Sequence, residues 1–124
     1  MRIESLILRI CFTIIAITTT TAAEKRPYIC SGISSNTLWK NYTGIGIFMD
    51  IDTRNCNFTS TPSYFTSISG TSSHWDLTGY GAIYNPTSTT FRIYAKSLSS
   101  ADVGTLLDRS IDCKWNVHWL GILE

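Results

Sequence analysis

The chain has 124 residues, four of them cysteine, with 10 Lys and Arg against 9 Asp and Glu. So even a balance excludes the basic footprint that nucleic acid and anionic membranes require, and neither is expected as a partner. The length fits one domain behind a short leader.

In chain order, the first feature is Leu6 to Ile17, LILRICFTIIAI, preceded by Arg2 and followed by the small residues Thr21-Ala22-Ala23. Its apolar run of about a dozen residues, interrupted by Arg9, falls short of the roughly 20 that span a bilayer. This is the pattern of a secretory signal peptide over residues 1–23, cut after Ala23. Residues 24–124 would then form a secreted, extracellular domain with no membrane insertion. Losing Arg2, Arg9 and Glu4 leaves its charges balanced. The sequons Asn41-Tyr-Thr and Asn57-Phe-Thr become surface glycosylation sites in that compartment.

Short runs of β-branched and aromatic residues follow, separated by Gly, Pro, Asn, Ser and Thr, and strands are expected at each. Arg26–Cys30 is the first. Gly44–Asp52 (GIGIFMDID) alternates, with Ile45, Ile47, Met49 and Ile51 on one face. Ser63–Ser69 follows Pro62, and Thr78–Tyr84 ends at Asn85-Pro86. Thr90–Leu98 sets Phe91, Ile93 and Ala95 against Arg92, Tyr94 and Lys96. Lys114–Leu123 sets Trp115, Val117 and Trp119 inward and His118 outward. Ser99–Asp112 reads as a long loop or short helix. One buried face per strand predicts an all-β fold, a single antiparallel β-sandwich of about six strands.

Catalytic chemistry finds little footing, and no enzyme is expected. The two histidines, His74 and His118, have no pattern that places them in one cleft, although a histidine pair with Lys96 or Lys114 would suit acid–base work. No serine lies in a G-x-S-x-G elbow. Asp50-Ile-Asp52 puts two carboxylates about 7 Å apart on one strand face, which calcium favours. Pairing with Arg54 or Arg92 is the simpler expectation. The cysteines do not cluster as zinc ligands. No metal or cofactor is implied.

Sugar recognition fits better. It needs an aromatic face for the pyranose ring and polar groups for the hydroxyls. In Thr71–Thr78, TSSHWDLT, Trp75 offers the face and His74 and Asp76 the hydrogen bonds. The competing expectation folds Trp75 back as a lid on the core.

From Tyr28 onward the order of residues resembles the H-type lectin family. The resemblance rests on Cys30-Ser31-Gly32 before Trp39, on Cys56 to Pro62 followed by a hydrophobic strand, on Phe91-Arg-Ile-Tyr94, and on the closing Trp115-Asn-Val-His-Trp119-Leu-Gly-Ile. It implies a secreted β-sandwich that binds glycans or glycoproteins without catalysis and assembles as a trimer-type homo-oligomer. The chain departs from that family where the sugar is held. The arginine of the middle strand falls at Gly81 or Ala82, and the aromatic after the Phe-led strand falls at Leu98. His74, Trp75, Asp76 and Lys96 would have to serve instead. The alternative is an extracellular structural or adhesion domain without a sugar site.

Outside the leader stand Cys30, Cys56 and Cys113, so one pair and one leftover are expected. Cys30 with Cys56 is favoured because both lie beside early strands, leaving Cys113 unpaired. Cys30 with Cys113 is the alternative. In some members of the resembled family one cysteine links chains, a role open to the leftover.

Overall fold

A computed structural model describes residues 24–124; the expected signal peptide lies outside the described residues. Seven strands form two antiparallel sheets. β1 (Tyr28–Ser34), β7 (Asn116–Leu123) and β4 (Ser63–Ser69) make a three-stranded sheet in the order β1-β7-β4. β2 (Lys40–Tyr42), β3 (Gly46–Asp52), β6 (Thr90–Ser97) and β5 (Leu77–Thr78) make a four-stranded sheet in the order β2-β3-β6-β5. The all-β sandwich expected from alternation is the fold observed.

The register explains the core. Ile47, Met49 and Ile51 of β3 pair with Ala95, Ile93 and Phe91 of β6, and all six are buried. From the other sheet come Tyr64, Ile68, Val117 and Trp119, with Trp115 just before β7. Tyr64 stacks on Phe91 at 4.3 Å between ring centroids, while its hydroxyl donates to the Thr87 carbonyl. Burial raises the pKa of that hydroxyl. Trp115 is fully buried, and its indole N–H is satisfied by the Ser72 carbonyl at 2.8 Å. Trp39 donates likewise to the Trp115 carbonyl.

Cys30 and Cys56 form a disulfide with 26 residues of separation, tying β1 to the 3₁₀ turn after β3, while Cys113 is free and half-buried. The bridge therefore crosses between the two sheets. A loop of this length contributes about 3 kcal/mol in the chain-entropy account.

Three expectations shift. The first strand begins later and runs to Ser34. Ile45 stands outside β3 and is exposed, in a turn that continues from the short strand β2, which the sequence reading did not anticipate. The strand expected over Thr78–Tyr84 stops at Thr78. Gly79 takes φ +95° and accepts a turn bond from the Ala82 N–H, which turns the chain away from the ladder. Only Tyr84 returns, as a single bridge to Arg92.

Of the long loop or short helix expected over Ser99–Asp112, the structure has the helix, α1 (Val103–Asp112). Asp102 caps it by accepting the Thr105 N–H at 2.7 Å, which lowers the Asp102 pKa. Val103, Leu106 and Ser110 are its buried positions. They follow helical rather than strand spacing.

Candidate functional site

The outer face of the four-stranded sheet carries a groove of about 360 Å³. Its walls are built by alternation. Tyr94 and Lys96 point away from the core because Ile93 and Ala95 point into it. Lys96 pairs with Thr78 and Tyr84 bridges to Arg92, so both partners present their side chains on this same face. Tyr42 pairs with Gly46, and with no side chain opposite, its ring leans toward Tyr94. The Tyr42 and Tyr94 rings are 4.7 Å apart, and Tyr84 meets Tyr94 edge-on at 4.8 Å. Gly46 is part of the floor, where an added Cβ would lie 2.7 Å from the Ala95 carbonyl oxygen. The volume sits at the low end of the roughly 300–1,000 Å³ typical of small-ligand sites.

One end of the face is fixed by charge. Arg92 binds Asp50 through two hydrogen bonds of 2.7 and 2.9 Å, and its guanidinium lies 4.3 Å from the Phe48 ring centre. Arg92 holds the Asp50 carboxyl below the usual carboxylate range, and Asp50 in turn raises the guanidinium pKa. Asp52 is held by Arg54 instead, through a bidentate contact that lowers it to about 2. Both carboxylates of the D-x-D strand are therefore engaged by arginine. Among the described residues, no group of three or more His, Cys, Asp or Glu side chains is placed to hold a metal ion.

The sequence-predicted residues separate. Lys96 lines the groove; His74, Trp75 and Asp76 do not. Those three form a 3₁₀ turn ahead of β5. Trp75 is 81% exposed, so it is no lid on the core. Asp76 is buried and committed to the fold: its carboxylate accepts the Ser97 hydroxyl at 2.6 Å, the Ser99 hydroxyl at 2.8 Å and the Ser99 N–H at 3.0 Å. The Ser97 and Ser99 bonds lower its pKa. Both oxygens therefore already accept hydrogen bonds within the protein, and the buried Asp76 stands apart from the groove. His74 sits beside Gly70, and its Nδ1 is buried without a hydrogen-bond partner. His118 points outward from the other sheet and shares a 2.8 Å hydrogen bond with Ser69. Asn41 and Asn57 are both exposed. Gly81 and Ala82 lie in the exposed turn after β5, and Leu98 is exposed beyond β6, so none supplies the arginine or aromatic of the resembled family.

Sequence reasoning missed Tyr42, Tyr84 and Tyr94 as a group. The alternation put Tyr94 outward beside Lys96, which was half the signal. The other half needs the strand pairing, which brings residues about 50 positions apart into one wall. Compared with family models, curated proteins and solved structures, the chain has no match.

Proposed function

We propose that this chain is a secreted carbohydrate-binding domain that holds a glycan, without catalysis, in the tyrosine-walled groove. The observation that carries the reading is the set of three tyrosine rings around an open groove of about 360 Å³. A tyrosine offers an apolar ring for the C–H face of a pyranose and a hydroxyl for hydrogen bonding. Thr78 and Lys96 add a second hydroxyl and an ammonium donor on the same rim. The disulfide and the two exposed sequons suit an oxidising, glycosylating compartment. The resemblance to H-type lectins supports the same class of ligand, with the holding residues moved to this face.

A second location is favoured by one observation, the exposed Trp75 on a turn that the buried Asp76 carboxylate pins in place. A glycan array with single variants separates the two. Trp75→Ala is expected to leave binding intact. Tyr94→Ala is expected to weaken it tenfold or more, about 1.4 kcal/mol. The opposite result would move the site to the Trp75 turn. No binding by a folded sample would favour a structural or adhesion domain.

A further inference from the structure

The outer face of the three-stranded sheet is as unusual as the groove, for the opposite reason. Ile29, Ile33 and Phe65 are 56%, 64% and 55% exposed. Leu120 and Ile122 stand half-exposed between them. The register makes these five residues one patch: Ile122 lies opposite Ile29, and Leu120 lies opposite Phe65. Ser31, Ser67 and His118 fill the gaps. Among the described residues, no outward position of these three strands carries Lys, Arg, Asp or Glu.

We propose that two copies of this chain associate back to back through this face. Three observations select a second copy as the occupant. First, a two-fold contact places a surface against itself, so any charge near its centre would face its own like. This face has none, whereas the other outer face carries Lys40, Asp50, Arg92 and Lys96. Second, neither sequon stands on it. Asn41 is on β2 of the other sheet, and Asn57 follows the 3₁₀ turn beyond β3, so glycans at both leave this face bare. Third, its extent suits a transient contact rather than a permanent one. Three strands about 4.8 Å apart and seven residues long, at about 3.3 Å each, cover roughly 14 by 23 Å. Two such plates bury roughly 640 Å² between them, below the range of stable specific interfaces, which sets a weak, transient, micromolar dimer rather than an obligate one.

The geometry has a functional result that rests on the groove reading. Because each groove lies on the opposite sheet, a back-to-back pair points its two grooves away from each other. Such a dimer joins glycans on two separate surfaces and gains little from two sites on one.

Sedimentation velocity of the full chain from eukaryotic cells, over a rising concentration series, tests the contact without reference to sugar. The expected result is a reversible shift from the mass of one chain to that of two. Ser67→Arg and Ser31→Asp, both at exposed positions, should each raise the dimer dissociation constant at least tenfold with an unchanged circular dichroism spectrum. A wild-type chain that stays monomeric at about 100 µM, well above the micromolar dissociation constant expected, would overturn the proposal and leave the face to a different protein. So would a dimer or trimer that both variants leave intact. Glycan binding that persists in monomeric Ser67→Arg would show the groove acting independently of the dimer and would support both assignments. Loss of glycan binding in Tyr94→Ala with the dimer retained would do the same.

Discussion

The two outer faces of this sandwich rest on one interior yet differ in almost every surface property. The four-stranded face puts tyrosines, lysines and an arginine–aspartate pair outward. The three-stranded face puts isoleucine, leucine, phenylalanine and serine outward. Alternation alone requires only that the inward half be apolar, and it leaves the outward half to be set by what meets it. A groove with polar rims suits a hydrated ligand that comes and goes. A flat, uncharged apolar face suits burial against a surface of its own kind.

The comparison holds only if the shared interior, and neither outer face, holds the fold together. Its largest test is Trp115→Ala. Trp115 is fully buried and hydrogen-bonded, so the change should cost roughly 3–5 kcal/mol and remove both proposed binding properties at once. Chemical denaturation measures it, and a loss below about 1 kcal/mol would break the premise.

Acid should next discriminate between the faces. Asp50, Asp52 and Asp76 belong to the four-stranded sheet or the turn that leads into it, and each has a lowered pKa, Asp52 to about 2. A carboxyl depressed in the folded chain stabilises it above the ordinary aspartate value of about 3.9, and that stabilisation is lost as pH falls through the folded value. Unfolding midpoints should therefore hold steady from neutrality to about pH 4 and fall between about pH 4 and 2. Asp76→Asn should flatten part of that decline, and a decline already complete at pH 5 would contradict the assignment. The smallest effect belongs to Asp50→Asn at neutral pH. It removes a solvent-exposed ion pair and should cost no more than about 1 kcal/mol by denaturant titration, with the fold retained.

Much of the fold was legible in the sequence because alternation writes burial directly. Ser63–Ser69 forms β4 over the expected residues, and Thr90–Leu98 is shortened by only one. The inward sets Phe91, Ile93, Ala95 and Trp115, Val117, Trp119 are buried, and His118 is outward as expected. The favoured Cys30–Cys56 pairing is also observed. The helix could have been read from Asp102 as a cap and from the apolar positions 103, 106 and 107, a spacing of three and four. The candidate site was less legible. Trp75 and Asp76 are adjacent in sequence, yet one is in solvent and the other is buried, because Ser97 and Ser99 reach Asp76 from a distant strand. Tyr42, Tyr84 and Tyr94 share a wall only through pairings that no local pattern encodes.

The Cys30–Cys56 bridge has a mechanical consequence as well. It encloses β2 and β3 within a 26-residue loop and leaves the rest of the sandwich outside. A chain stretched from its two ends would release the outer segments while the enclosed loop stayed slack, withholding about 90 Å of contour length until the bridge was reduced. Under shear, the oxidised domain has a built-in stop.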